Sequence, residues 1–180
     1  MIQKIFLPTI FFLFLQSAEA QRIKFFSLTQ VGVAMGSSGN GFQLQTVNGV
    51  RNKILALGAG ISTDHYSMHS FPLFASLRTG FFDREQTPFM YVDLGSNLWG
   101  KTEKTNMIYD SWSSYHNGSY YDLGLGYSAR IAKKLSLVMS FGYSQKKLAK
   151  TTEWQMGIDH SSDRYDYTMR SFSFKTGFSF

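Results

Sequence analysis

From residue 172 to the end of the chain, apolar and polar positions alternate without a slip. Phe172, Phe174, Thr176, Phe178 and Phe180 fall on one side; Ser173, Lys175, Gly177 and Ser179 fall on the other. Successive side chains of a strand point to opposite faces, so the spacing predicts a two-faced β-strand over 165–180. The same period of two recurs upstream. Leu135, Leu137, Met139, Phe141 and Tyr143 alternate with Ser136, Ser140, Gly142 and Ser144. Tyr121, Leu123, Leu125, Tyr127 and Ala129 alternate with Asp122, Gly124, Gly126, Ser128 and Arg130. Only residues 131–134 separate segments 119–130 and 135–146, which predicts a hairpin.

Five more segments carry the pattern, at 24–36, 41–48, 54–63, 71–82 and 88–99. Turn chemistry separates them: Ser37-Ser38-Gly39-Asn40, the Asn48-Gly49 dipeptide, a polar loop over 64–70, and the charged run 83–87. No segment carries a convincing helical period. An even number of alternating segments, each roughly ten residues long, is the signature of a transmembrane barrel. The expected fold is all-β: an eight-stranded antiparallel up-and-down transmembrane β-barrel. Three short turns (48–53, 83–87 and 131–134) fall on one rim, and the two longest connections (100–118 and 148–164) fall on the other. Short periplasmic turns with longer outer loops are the usual asymmetry, which puts both termini on the periplasmic side.

Alternation alone also suits a soluble barrel with its apolar face inward. Side-chain size decides between the two. The polar-face partners are mostly Gly, Ser and Ala, which suit a cramped interior, whereas the apolar face carries Leu, Phe, Tyr, Met and Val. Several large side chains from every strand would overfill a small lumen. The apolar face is therefore expected to look into lipid. A closed barrel also leaves no unpaired strand edge there.

The charged positions can be placed on that frame. Arg78 and Asp93 share lumen parity on neighbouring strands, and pairing Asp83 with Pro88 would set them opposite each other. A lumenal ion pair follows, neutralising charge that would be costly unpaired. Arg170 has lipid-facing parity. At about 3.3 Å per residue and a tilt of about 40°, it sits roughly 25 Å above Phe180, at the outer edge of the apolar band. There it would meet lipopolysaccharide phosphates.

The N-terminus points to export. Lys4 precedes an apolar run over 5–15, and Ala18 and Ala20 supply the small residues of a secretory cleavage site. The run is shorter than the roughly 20 residues a membrane helix needs. Residues 1–20 are expected to be a cleaved signal peptide, leaving 21–180 as one barrel domain. Its removal takes one Lys and one Glu, so the net charge of +6 is unchanged. There is no Cys, so neither disulfides nor a lipid-modified N-terminal Cys enters. The basic residues are scattered and accompany no recognition motif, which argues against nucleic acid.

Candidate chemistry is sparse. His160-Ser161-Ser162-Asp163 is the best catalytic cluster, but it falls in a connection and lacks a well-placed acidic partner. His65 and His69 have a spacing that brings metal ligands together only on a helix. No catalytic, cofactor or metal site is expected. Trp99, Tyr109, Trp112, Tyr115, Tyr120 and Trp154 gather toward the long-connection rim. They read as an interfacial girdle. The sharper reading is a loop interaction surface of Tyr109, Trp112, Tyr115 and Trp154 for an unknown extracellular ligand.

The signal segment, the eight alternating segments and the ending Phe174-x-x-Gly177-Phe178-x-Phe180 resemble small outer-membrane barrels of the OmpA/OmpX type. The runs GLGYSARIAKKLSLVMSFGYS and FPLFASLRTGFFDREQTPFMYVDLG are similar to outer-membrane β-barrel domains common in Bacteroidetes. The resemblance implies insertion by the barrel-assembly machinery, with Phe178 and Phe180 in the recognition signal. It implies no particular activity, and cell-wall tethering does not carry over. The expectation is a non-enzymatic outer-membrane protein, among lipid and lipopolysaccharide, with a structural or surface-interaction role. A narrow porin-like channel and a lipid-modifying enzyme are the alternatives.

Overall fold

The computed structural model describes residues 23–37, 39–65, 70–84, 86–98, 103–106, 110–156 and 159–180. The predicted signal segment lies outside them. The strands are β1 (Lys24–Gly36), β2 (Gly39–Arg51), β3 (Leu55–Asp64), β4 (Phe71–Gly80), β5 (Thr87–Leu98), β6 (Glu103–Asn106), β7 (Asp110–His116), β8 (Gly118–Ala132), β9 (Leu135–Met156) and β10 (Asp159–Ser179). Eight of them, β1–β5 and β8–β10, form an antiparallel up-and-down barrel. The last strand pairs with the first, with Val33 opposite Phe174, which closes the ring. Phe180 adds two backbone hydrogen bonds to Ser27, at 2.8 and 3.2 Å.

The apolar face points outward. Leu123, Leu125 and Phe174 are 49%, 60% and 46% exposed, whereas Asp122 and Ser173 on the alternate positions are fully buried. Alternation therefore fixes sidedness on each strand, and pairing around the ring joins the outward rows into one apolar belt.

Three local expectations give way. The first is Asn48-Gly49, which is no turn. β2 runs through it, with Gly49 opposite Phe26 on one side and Gly58 on the other. The chain reverses instead at Asn52, whose Oδ1 accepts the backbone N–H groups of Ile54 (3.0 Å) and Leu55 (2.8 Å). A local turn preference loses to cross-strand pairing on both sides, and a side-chain cap makes the turn further on. The second is register. Arg78 lies opposite Tyr91, and Ser76 lies opposite Asp93. The β4–β5 turn closes at Phe81 N–H to Pro88 O (3.0 Å), so the strands sit two residues from the expected register. An even shift keeps every side chain on its expected face.

The third concerns the long connections. β9 and β10 do not end at the rim. They continue as a paired ribbon, from Leu148 opposite Tyr167 up to Met156 opposite Asp159. β7 lies along the other edge of β9, with Asp110 opposite Gln155, and β6 pairs with β7. A four-stranded wall thus rises from one side of the barrel. His160 to Asp163 therefore lies within a strand, opposite 152–155, rather than in a loop. These stretches have polar residues on both faces, so they carry strand propensity without the alternation that reveals a strand.

The interior also differs from the expected lining of small residues. Phe26, Leu28, Val47, Phe74, Phe89, Tyr91, Tyr120 and Val138 form a buried inner cluster. Tyr120, expected in the outer aromatic group, points into the lumen and packs against Phe74 with ring centroids 5.4 Å apart. The lumenal glycines are the clearances these rings need. A Cβ at Gly142 would collide with the Tyr91 hydroxyl, one at Gly126 with the Phe89 ring, and one at Gly60 with the Phe74 ring.

Candidate functional site

Inward positions on five strands converge in the middle of the lumen. Lys175 on β10 donates to Asp122 Oδ2 on β8 (2.7 Å) and to Gln45 Oε1 on β2 (3.0 Å). Gln45 Nε2 donates to Asp93 Oδ2 on β5 at 3.0 Å. Asp93 faces Arg78 on β4 at 3.8 Å, and Arg78 Nε donates to Ser76 (3.2 Å). The Tyr91 hydroxyl donates to the remaining Asp122 oxygen at 2.9 Å. Its ring lies 4.7 Å from the Lys175 ammonium and 5.2 Å from the Arg78 guanidinium. One chain of contacts thus runs Arg78–Asp93–Gln45–Lys175–Asp122–Tyr91.

A second cluster sits toward the long-connection rim. Lys146 on β9 forms an ion pair with Asp64 at the end of β3. Ser70 lies 3.4 Å from both and bridges back to Asp64 along the backbone. Both clusters are buried. Lys146 and Lys175 are 2% and 1% exposed, and their carboxylate partners are no more so. Charges removed from water persist only with close partners and extra hydrogen bonds, and both ammonium groups have them. The second cluster ties opposite walls of the ring, β3 to β9, while in the first Lys175 ties β10 to β2 and to β8, each across one intervening strand.

The short-turn end is different. A cavity of about 730 Å³ opens there. Lys24, Arg51, Lys53, Arg84 and Arg130 stand at its rim, with Asp83 bound to Lys53 at 3.2 Å. Phe26, Leu28, Phe89 and Val138 line it further in, beside Arg78.

Register differs from expectation, yet Arg78 and Asp93 still meet, because the two-residue shift leaves them diagonal neighbours. Phe178 and Phe180 point outward and are exposed, on the strand that closes the ring. Arg170 is exposed on the outward face, opposite Gln145. Tyr109 lies outside the described residues. Trp112 and Tyr115 fall on β7 and Trp154 on β9, so the wall gathers their strand positions, with Trp154 opposite both Ser111 and Ser161. His65 is exposed and His69 lies outside the described residues. Among the described residues no group of three His, Cys, Asp or Glu could hold a metal ion.

Sequence reasoning missed the Lys175–Asp122 and Lys146–Asp64 pairs and the basic mouth. Parity carried the first pair, since Lys175 and Asp122 both occupy inward positions of clean alternating runs. Nothing local linked Lys146 to Asp64, which are 82 residues apart.

No family model and no curated protein sequence matches this chain. Among solved structures, it is similar to the crystal structure of Neisserial surface protein A (NspA), at 15% identity over 87% of this chain and 95% of that one, with a TM-score of 0.53. It also resembles the solid-state NMR structure of outer membrane protein AlkL in DMPC bilayers, at 15% identity over 91% and 92% of the two chains, with a TM-score of 0.47. At such identity the likeness to NspA speaks to the fold: that of a small eight-stranded outer-membrane β-barrel.

Proposed function

We propose that this chain is an integral outer-membrane protein whose short-turn rim and termini face the periplasm, and whose raised wall is a contact surface outside the cell. The observation that carries the membrane reading is the inversion of polarity. Large apolar side chains such as Leu73, Leu125, Phe141 and Phe172 are each more than half exposed, while Lys175, Asp93 and Asp122 are buried. Water would favour the opposite arrangement; lipid favours this one. The wall supports the contact reading. Its strands extend beyond the barrel, and they carry Trp112, Tyr115 and Trp154, residue types that commonly anchor interfaces.

Two further roles belong to the same reading. Phe178 and Phe180, outward on the closing strand, present the signal for the barrel-assembly machinery. Arg170, outward and toward the wall, meets lipopolysaccharide phosphates. A channel is the weaker reading, because Tyr91, Tyr120, Asp122 and Lys175 occupy the lumen at mid-height and are at most 2% exposed. A lipid-modifying enzyme is weaker still, since His160 to Asp163 is held in an extended strand.

Cell fractionation with gel migration before and after boiling tests the membrane reading. The expected result is an outer-membrane band that migrates faster unboiled. Recovery in the soluble fraction with no heat shift would overturn it. Excising 103–116 and 149–163 tests the wall: the shift should persist while surface contact is lost.

A further inference from the structure

Among the described residues, cations crowd the short-turn mouth. Around the cavity the described residues supply six cations (Lys24, Arg51, Lys53, Arg78, Arg84 and Arg130) against one carboxylate, Asp83, which is taken up by Lys53 at 3.2 Å. Lys24 and Arg51 are direct cross-strand partners, an arrangement in which like charges repel. At the inner wall stands Arg78. Its side chain is 9% exposed, and Nη1 and Nη2 make no hydrogen bond to any protein group; its one carboxylate neighbour is 3.8 Å away. Elsewhere in the lumen buried cations are closely paired, so this surplus is local to the mouth.

We infer that the mouth is a binding site for a phosphate group carried on an apolar body. Guanidinium forks engage phosphate oxygens two at a time, and Arg51, Arg84 and Arg130 bring three of them to one rim. Several converging cations suit a group that approaches two negative charges better than a single carboxylate. Phe26, Leu28, Phe89 and Val138, just inside, give the organic part an apolar wall. Low-dielectric walls around one sign of charge also concentrate anions at the opening. The ligand chemistry could come from a phospholipid headgroup or from a small soluble phosphate. The site itself does not depend on which compartment the mouth faces, so its failure and the failure of the proposed orientation are separate results.

Calorimetric titration of the folded protein in a non-ionic detergent tests this, with inorganic phosphate in one arm and dihexanoyl phosphatidic acid in the other. Saturable binding of the lipid at least about tenfold tighter than of inorganic phosphate supports the inference; equal binding of both would overturn its apolar part. The double variant Arg51→Gln/Arg130→Gln should bind at least about tenfold more weakly, the loss expected for charge-assisted contacts. Lys147→Gln, exposed on β9 away from the short-turn mouth, should bind as the parent does. Gel migration before and after boiling checks that each variant is folded. Arg84→Gln, in a turn outside the strands, gives a second reading if the double variant fails to fold. Absence of saturable binding in both arms, or unchanged affinity in folded Arg51→Gln/Arg130→Gln, would overturn the inference.

Discussion

The middle of the lumen and its short-turn mouth are both lined with cations, and they handle them in opposite ways. In the middle, Lys175 lies 2.7 Å from Asp122, and nearer the other rim Lys146 is paired with Asp64. Among the described residues at the mouth, five rim cations stand around the cavity and Asp83 is the carboxylate that lines it. The difference follows access to water. A charge sealed inside must meet its counter-charge or its desolvation is uncompensated. A charge at an opening can remain solvated, and the fold is then free to leave it for a ligand. Arg78 sits at the boundary, with Asp93 on one side and the cavity on the other.

Substitutions can break this contrast at either end. Lys175→Met should have the largest effect, because it leaves Asp122 buried without its cation; the cost expected is about 3–5 kcal/mol. Urea unfolding in lipid vesicles would measure it. Adding Asp122→Asn should recover part of the loss, and no recovery would mean the pair is not the source. Leu125→Arg asks whether the outside is as averse to unpaired charge as the inside. Near the midpoint of an outward row, it should cost about 2–4 kcal/mol in the same assay. Equal stability there would sink the lipid-facing assignment.

Gly142→Ala addresses the uncharged packing beside the network. The added Cβ meets the Tyr91 hydroxyl, which must move away from Asp122. Overpacking of this kind typically costs about 1–3 kcal/mol. A companion Tyr91→Phe change, which removes the clashing oxygen, should lessen the penalty that Gly142→Ala adds. The smallest effect is expected at the mouth. Arg51→Gln/Arg130→Gln should shift stability by no more than about 0.5 kcal/mol, as is usual for surface sites. A loss as large as that of Lys175→Met would show the two regions to be alike after all.

Much of the barrel was legible because strand sidedness is a local property. Val31, Val33 and Met35, or Leu123, Leu125 and Tyr127, reveal their outward row in a few residues of sequence, and the structure places them there. The wall was not legible. On β10 both faces are exposed from Ser162 to Thr168, so no buried apolar stripe marks that stretch. Asn48-Gly49 misled for a related reason: a turn preference is weaker than two flanking ladders. The lumenal glycines read as filler, although Gly60, Gly126 and Gly142 leave room for Phe74, Phe89 and Tyr91.

Sequence alone determined the fold class, the inward and outward rows, and the pairing of neighbouring segments, since these depend on side chains two residues apart or on short turns. Only closure of the ring decided which inward charges meet. Lys146 reaches Asp64 on the opposite wall, and Lys175 reaches Asp122 and Gln45 past one intervening strand on either side, all of them partners distant in the chain. The same closure gathered Lys24, Arg51, Arg84 and Arg130, scattered along the sequence, around one opening. Electrostatic partners are chosen by distance in space, and a periodic sequence records direction without recording distance.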